Sequence, residues 1–267
     1  MANKRLMLLP FMWLSLVSFH QVNGRLLAEN EDVESRTTLV KTKQRAGYQT
    51  LDGTYHGTTA KINVYDLPDV KGHQASYAAI YLRNIVDFVD NTIAAGVHVG
   101  GSVDCFNLEC NPGFVLSNTS NSIPGAELIP TSVYDGEQRY ITLTIKKDEY
   151  TGDWSLYRDD LGNQKLVGYW PKTLFTNLAQ TATMVEWGGT VTFTKNETSP
   201  PMGSGHFPSE GERKAAHFER IELFDEEGKS YEPWEEDVSI STDKEDCYKA
   251  SAFDDQMFYY GGPAGCN

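Results

Sequence analysis

The sequence predicts an all-β fold built from short antiparallel strands, and three observations indicate it. The 267 residues are 40% hydrophobic and 12% aromatic, which suffices for one sizeable core. Tyrosine, phenylalanine and glycine, which favour half-buried strands and turns, are abundant. Apolar and polar residues alternate over short segments, whereas long runs at helical period are scarce. We therefore expect one domain with a sandwich or barrel architecture.

The alternation is clearest between residues 58 and 65, where Ala60, Ile62 and Val64 alternate with polar or aromatic neighbours. A turn at Leu67-Pro68-Asp69 ends this strand. The same pattern, separated by Gly, Asp or Asn, predicts eight further strands: 75–82, 85–89, 113–117, 138–146, 154–158, 165–170, 183–194 and 217–224.

Two local features interrupt the strands. Pro171 suits the first turn of a helix, and the apolar residues at 174, 175, 178, 179 and 182 follow at helical spacing, which predicts one short helix against a sheet. Gly188-Gly189 lies inside the strand 183–194 and predicts a bulge or a close approach between backbones.

The N-terminal 24 residues have the pattern of a secretory leader. Lys4 and Arg5 precede an apolar run over residues 6–19, and Val22-Asn23-Gly24 places small or aliphatic residues where a signal peptidase reads. The apolar run is shorter than the ~20 residues of a membrane span. We predict that residues 1–24 are removed, that residues 25–45 form a flexible polar arm or shortened pro-segment, and that residues 46–267 form the domain.

The charge balance restricts the partners. There are 23 basic and 37 acidic residues, which gives a net charge of −14. An acidic protein is repelled by phosphate backbones and by anionic lipid surfaces. We therefore expect neither nucleic-acid nor membrane binding of the secreted chain.

All four cysteines lie after the leader, and an even number in a secreted protein favours disulfides. Three pairings are open. The short spacing between Cys105 and Cys110, and the position of Cys247 and Cys266 at the C-terminus, favour two local bridges. A zinc site is the rival interpretation, but no histidine pair lies at ligand spacing near either cluster, so we expect no metal and no cofactor.

Two asparagines lie in acceptor sequences for N-linked glycans. These are Asn118-Thr119-Ser120 and Asn196-Glu197-Thr198, and neither has proline in the middle position. We predict that both lie on exposed loops.

Five segments, in order, carry a family resemblance: Tyr55-His56-Gly57 through Tyr65; Leu166-Val167-Gly168-Tyr169-Trp170-Pro171 through Leu174-Phe175; Met184-Val185-Glu186-Trp187-Gly188-Gly189; Met202-Gly203-Ser204-Gly205-His206-Phe207-Pro208; and Phe258-Tyr259-Tyr260-Gly261-Gly262-Pro263. They resemble the plant neprosin family from about residue 46 to the end. The resemblance implies a β-sandwich of two curved antiparallel sheets. It also implies the disulfides Cys105–Cys110 and Cys247–Cys266.

The active members that this chain resembles are secreted glutamic endopeptidases that cleave after proline at acid pH. Their chemistry depends on two glutamates. Carboxyls held close cannot both ionise cheaply, so one stays protonated and polarises the peptide carbonyl while the other activates water.

The resemblance fails at the first of these acids. The family segment has the form Ser-Ile-Glu-Ala-Gly-Trp, and its equivalent here is Thr92-Ile93-Ala94-Ala95-Gly96-Val97. Ala94 stands where the acid is expected, and a methyl group supplies neither proton nor acceptor. The stretch from Gly96 to Cys105 is also shorter than in family members by roughly two strands, which predicts a reduced cleft wall.

The second acid is expected near the paired glycines. Many relatives have a glutamate directly after them, where this chain has Thr190, whereas Glu186 precedes them. Spacing does not decide between positions 186 and 190, and both fall on one face of a strand unless the glycines bulge. Glu186 is therefore the candidate catalytic residue.

Three further residues are candidates for ligand binding. Trp170 and Trp187 could floor a groove for proline rings, although buried tryptophans in sheets are commoner. His206 lies in a glycine-rich loop where backbone could approach a ligand, although a structural turn is the default.

Three functions remain open. The first is a glutamic peptidase with weak or no activity. The second is a non-catalytic extracellular binder of proline-rich peptides. The third is a structural secreted sandwich. The number of acids at positions 94, 186 and 190 separates the first two, unless another carboxyl such as Glu109 takes part.

Overall fold

The computed structural model describes residues 13–19, 41–101, 107–110, 112–160 and 162–266, and for residues 13–19 only the course of the backbone. Strands dominate, and every pair of strands is antiparallel. Their bounds are β1 Trp13–Phe19, β2 Lys41–Thr50, β3 Gly57–Asn63, β4 Ala75–Val86, β5 Val89–Gly100, β6 Val115–Leu116, β7 Tyr140–Lys147, β8 Trp154–Arg158, β9 Lys165–Trp170, β10 Met184–Thr194, β11 Ala216–Phe224, β12 Ser230–Tyr231, β13 Val238–Thr242, β14 Lys249–Ala250 and β15 Phe258–Gly261.

The strands form two sheets. The first has the order β1-β5-β4-β10-β2-β13, and the second has the order β14-β15-β11-β3-β7-β8-β9-β6, with β12 added to β11. Apolar side chains of both sheets meet in one buried cluster. The predicted antiparallel sandwich of two sheets is therefore confirmed.

Strand parity divides the first sheet into an inner and an outer face. Ile80 and Leu82 of β4 are fully buried in the main core, whereas Tyr77 and Tyr81 belong to a separate small cluster on the other face. The inner face holds the core of the sandwich. The outer face carries the polar residues described below.

The helix predicted after Pro171 is shorter than its apolar spacing suggests. Only a 3-10 turn, Lys172–Leu174, forms, and Phe175 is already extended. The oxygen Oδ1 of Asn91 accepts hydrogen bonds from the backbone N–H groups of Thr176, Asn177 and Leu178, at 2.8, 2.9 and 3.3 Å. A side chain of β5 thus takes the donors that a longer helix would use, in a segment with several poor helix formers.

Two strands extend beyond the sequence prediction. Residues 41–45, expected in the flexible arm, belong to β2, which lies between β10 and β13; residues 25–40 lie outside the described part. The segments predicted at 75–82 and 85–89 are instead a long hairpin of β4 and β5. The alanines and glycines of β5 have weak strand propensity, and tertiary pairing overrides it.

The paired glycines of β10 produce a close approach and no bulge. Register is unbroken from Glu186 to Thr190 against both β2 and β4. A Cβ atom at Gly188 would lie 2.5 Å from the carbonyl oxygen of Ala46, and one at Gly189 would lie 2.6 Å from the Met202 side chain. Glycine is therefore required on both faces of this strand.

The disulfide Cys247–Cys266 is present and ties the C-terminal segment to the start of β14. This predicted pairing is confirmed. Cys105 lies outside the described residues, so the bridge to Cys110 stays a prediction.

The apolar stretch of the expected leader includes β1, which pairs with β5 along Thr92 to His98. The other residues of 1–24 lie outside the described part. Within that part, no helix has the length and apolarity needed to cross a membrane.

We expect the double replacement Cys247→Ser and Cys266→Ser to lower the free energy of unfolding by about 3 kcal/mol, because the bridge closes a loop of 19 residues and restricts the unfolded chain. Urea denaturation of the purified protein measures the change. Unchanged midpoints would show that packing alone fixes the C-terminal segment.

Candidate functional site

The candidate site lies on the outer face of the first sheet, where four adjacent strands place their residues in one row. Register aligns Gln49 of β2, Glu186 of β10, Tyr81 of β4 and Ala94 of β5. Neighbouring strands are about 4.8 Å apart, so the backbone positions of 94 and 186 are separated by about 10 Å. The structure thus brings these two sequence-predicted positions to the same place, with a tyrosine between them.

Position 190 lies in a different row. Thr190 is aligned with Tyr77 and His98, four residues along the strand from the row of Glu186. At about 3.3 Å per residue the offset is about 13 Å. Glu186 and Thr190 do share the outer face, but position 94 is much nearer to 186.

Glu186 is almost buried, at 6% exposure, and both of its carboxylate oxygens face guanidinium groups. Arg83 Nη1 donates a hydrogen bond to Oε1 at 2.6 Å, and Arg45 Nη1 lies 3.5 Å from Oε2. Each arginine holds a second carboxylate, since Arg83 pairs with Asp90 and Arg45 pairs with Asp243. We call these five residues the charge chain.

The charge chain crosses five neighbouring strands. Across the sheet, Asp90 lies in β5, Arg83 in β4, Glu186 in β10 and Arg45 in β2, and Asp243 directly follows β13. In this order carboxylates alternate with guanidiniums. Burial opposes the charge of Arg83, but its hydrogen bond to Asp90 and the charge of Glu186 outweigh burial and raise its pKa. The pKa of Arg45 is raised in the same way, chiefly through Asp243.

A row of small residues lets Arg45 reach Glu186. Arg45 is paired with Thr190, and its side chain must pass the level of Gly47 and Gly188 to contact Glu186. These residues line a shallow depression, together with Tyr81 and others. The depression is bounded by the guanidinium of Arg45 on one side and the carboxylate of Glu186 on another.

The backbone of Tyr81 lies between positions 94 and 186, and its side chain extends along the sheet to Thr190. Its hydroxyl donates to Oγ1 of Thr190 at 3.3 Å, and burial raises its pKa to about 12. The phenol is therefore neutral at neutral and acid pH. It can donate a hydrogen bond, but it does not replace an ionisable carboxyl.

The two candidate tryptophans lie in the core rather than in a groove. Trp170 and Trp187 are 0% and 1% exposed. Trp187 Nε1 donates to Oγ1 of Thr58 at 3.0 Å, and Trp170 packs edge-on against Phe114. Trp187 faces the interior because strand parity points it away from Glu186, and Trp170 faces the same core from β9 of the second sheet. The aromatic residues on the outer face are tyrosines of β4 instead.

His206 belongs to a small surface cluster. Its Nδ1 atom lies 2.9 Å from Oε1 of Glu210, its ring is 4.2 Å from the ring of Tyr134, and the Tyr134 hydroxyl donates to Oε2 of Glu210 at 2.8 Å. These contacts order the loop that holds His206. These contacts agree with the interpretation of the His206 segment as a structural turn.

The glycine-rich motif around His206 supports the candidate site from behind. Met202 exchanges backbone hydrogen bonds with Gly262 of the C-terminal motif. The Met202 side chain and the Tyr260 ring occupy the space next to Gly189, on the inner face of β10. Two of the sequence motifs therefore pair with each other and fix the strand that carries Glu186.

The remaining predicted sites are on the surface or lack ligand geometry. Asn118 and Asn196 are exposed and lie in turns, as glycan acceptors require, and their occupancy stays a prediction. Glu109 is exposed on a turn. In the described ranges no group of three or more His, Cys, Asp or Glu residues could hold a metal ion.

Sequence reasoning missed the two arginines. Arg45 was assigned to the arm, and Arg83 lies at the end of a predicted strand with no partner visible in the sequence. The sequence did contain one signal, the alternation of side chains along β4. Tyr77, Tyr81 and Arg83 are separated by even numbers of residues, so they lie on one face of the strand, and the main-core residues lie on the other.

The model of the Neprosin family matches residues 92–263, which is most of the chain. The match starts in β5 and therefore includes Ala94, Glu186 and Thr190, together with Cys247 of the confirmed disulfide.

We expect Glu186→Gln to lower the free energy of unfolding by about 2 kcal/mol or more, because it leaves two partly buried guanidiniums without their shared anion. The control is Glu236→Gln, an exposed position expected to change stability by less than about 0.5 kcal/mol. Urea denaturation at neutral pH compares the two. Equal midpoints would show that the charge chain contributes nothing to stability.

We expect stability to fall as the pH drops below about 6.5, in part through His217. Burial lowers the pKa of this histidine, and the charge of Glu219 only partly compensates. His217 therefore binds a proton more readily in the unfolded chain than in the folded chain, so acid favours unfolding. Replacing His217→Gln should flatten the loss of stability between pH 7 and about pH 5, whereas His56→Gln, which is not buried, should not. Parallel slopes in all three proteins would contradict this assignment.

Proposed function

The chain belongs to the neprosin family, and from its site we propose that it is a secreted member that holds peptides in the family's cleft but hydrolyses them at background rate. The observation that carries the proposal is the state of Glu186. Both of its oxygens face arginines, and the neighbouring position in the row is Ala94. No other residue of this row supplies the second carboxyl that the family's chemistry needs.

The arginines restrict the part that Glu186 could take in a dyad. Guanidinium groups donate hydrogen bonds and accept none. Both carboxylate oxygens of Glu186 already face such donors, from Arg83 and Arg45. A second acid would have to displace one of these arginines before it could approach Glu186.

The geometry favours position 186 over position 190 as the partner of position 94. A glutamate side chain reaches about 4 to 5 Å from its backbone, so carboxyls at 94 and 186 could approach across Tyr81 from backbones about 10 Å apart. Carboxyls at 94 and 190 would start from backbones about 16 Å apart. We infer that the row of Glu186 is the place where the family's chemistry would occur.

Nearby carboxylates do not compensate for Ala94. Asp90 and Asp243 lie at the ends of the charge chain, and an arginine separates each from Glu186. A water molecule activated by one carboxylate would still need an acid for the peptide carbonyl. The hydroxyl of Tyr81 is a donor in the row, but it is already bonded to Thr190.

What the site retains is the capacity to bind. The glycines at 47 and 188 leave a depression at backbone level, and Arg45 and Tyr81 border it. Peptide carbonyls and carboxylates suit a guanidinium donor, and tyrosine rings suit pyrrolidine faces. A proline-rich extracellular peptide is therefore the ligand class that we propose, in line with the expected leader and the disulfide.

We expect wild-type protein to release no more product from a proline-containing peptide than a blank at about pH 3–5, where a glutamate pair would share a proton. Positioned acid and base groups contribute on the order of 10² to 10⁴ each, so losing one member suffices for this result. Mass spectrometry of the peptide products measures it.

Added carboxyls test the geometry. We expect Ala94→Glu to give partial activity and Ala94→Glu with Arg45→Gln to give more, because Oε2 of Glu186 is then released. Adding Thr190→Glu to Ala94→Glu should bring no further gain, since position 190 lies in another row. Thr192→Glu, on the same strand and face, is the matched control. Robust cleavage after proline by the wild-type chain, abolished by Glu186→Gln, would refute the proposal.

A further inference from the structure

One edge of the first sheet depends on the N-terminal segment. In the part of the chain that the structure describes, β5 pairs with β4 on one side, in unbroken register from Val89 to Gly100. On the other side β5 pairs with β1, whose seven residues cover Thr92 to His98. Backbone groups of β5 on this side therefore have a strand partner only through β1.

This partner lies inside the segment that the sequence marks for removal. β1 spans residues 13–19, and the leader is expected to end at Gly24. Cleavage at that point takes β1 away and opens the edge of β5. The N–H and C=O groups along Thr92 to His98 are then available to another strand.

The edge of β5 lacks the features that normally prevent strand pairing. From Asn91 to Gly101 there is no charged residue and no proline, and the register contains no bulge. Asp90, the nearest charge, is bound to Arg83. Uncharged, flat edge strands pair readily with other strands.

The opposite edge of the same sheet is protected. β13 has only five residues, and acidic residues flank it: Glu235, Glu236 and Asp237 before the strand, and Asp243 after it. Pairing of β5 with β13 of another copy would bury or crowd these carboxylates. Association of β5 with β13 of the next copy, which would produce open filaments, is therefore disfavoured. Association of two β5 edges, which closes after two copies, does not meet this obstacle.

We propose that the leader-free protein forms a two-fold symmetric dimer in which β5 of one copy pairs antiparallel with β5 of a second copy. A two-fold axis near Ala95 places Thr92 opposite His98 of the second copy, and the small residues Ala94 and Gly96 opposite each other. Neither pair brings like charges together. The two first sheets become one continuous sheet.

The net charge sets the strength of this dimer and its salt dependence. The leader holds Lys4 and Arg5 and no acidic residue, so 21 basic and 37 acidic residues remain and each leader-free copy carries a charge of −16. The two copies therefore repel each other at long range. Salt screens this repulsion, and the Debye length falls from about 30 Å at 0.01 M to about 10 Å at 0.1 M. One pair of strands is a small interface, so we expect a dissociation constant on the order of micromolar, and tighter association at higher salt.

The experiment is sedimentation equilibrium of the protein as secreted into culture medium, after its N-terminal residue has been identified by mass spectrometry. We expect a mature N-terminus after Phe19, a monomer–dimer equilibrium and a dimer fraction that rises with salt. Hydrogen exchange read by mass spectrometry should show that peptides covering Thr92 to His98 become protected as the protein concentration rises.

Two substitutions place a charge on the edge. Ala94→Lys and, as a second choice with a more peripheral side chain, Thr92→Lys should each weaken dimerisation at least about tenfold. Ser239→Lys, on the outer face of β13, is the matched control and should leave the dimer intact. Circular dichroism confirms that each variant is folded.

Three results would overturn the proposal. The first is a monomer at all concentrations with rapid exchange of the β5 amides. The second is a dimer that neither Ala94→Lys nor Thr92→Lys weakens, which would place the interface elsewhere. The third is a secreted chain that still carries residues 13–19 and keeps the edge of β5 closed.

Discussion

The ion pairing of Glu186 with two arginines is the interaction on which the outer face of the first sheet depends. A carboxylate at 6% exposure is costly to bury alone, and the structure compensates it with donors from the strands on either side. Asp90 and Asp243 in turn compensate the arginines. Because each link joins a different strand, the charge chain fixes the lateral order and register of five strands as well as the state of one side chain.

This arrangement depends on glycines that have no direct chemical role. Side chains at 47 or 188 would collide with the neighbouring backbone, and they would also obstruct the path along which Arg45 reaches Glu186. Gly189 has the complementary task on the inner face, where Met202 and Tyr260 pack against it. The motifs that mark the family in this sequence therefore act mainly through packing. They position one strand from both faces, whether or not that strand carries a complete dyad.

The sequence predicted most strands because their alternation reports directly on which face is buried. It failed where that signal is absent. β5 consists largely of alanine, glycine and valine in its second half, so alternation is weak, and its length became visible only through pairing with β4. In residues 41–45 the outward positions 41, 43 and 45 are polar, and so are Thr42 and Gln44 between them. The segment therefore has no apolar alternation, and polarity alone could not distinguish this strand from a loop.

The candidate site was predicted in part for a similar reason. Positions 94, 186 and 190 came from motif resemblance, and parity placed the last two on one face. Arg45 and Arg83 could not be found this way, because their ion pairs with Glu186 depend on register between segments about 100 to 140 residues apart in sequence, which no local pattern encodes. The sequence did not decide whether the tryptophans face the core or a groove, because alternation along a strand does not say which of its two faces is buried.

The number of charges on the outer face relates the alanine at position 94 to the ion pairs of Glu186. The charge chain has three carboxylates and two guanidiniums, so one negative charge is left over in a partly buried place. A carboxylate at 94 would add a fourth to the same row, and one of the two facing acids would then need a proton to relieve the repulsion. That is the condition for glutamate chemistry. With Ala94, both oxygens of Glu186 face arginines, and no second carboxylate of this row competes with them. The ion pairing of Glu186 is thus compatible with alanine at position 94, which is the basis of the proposed function.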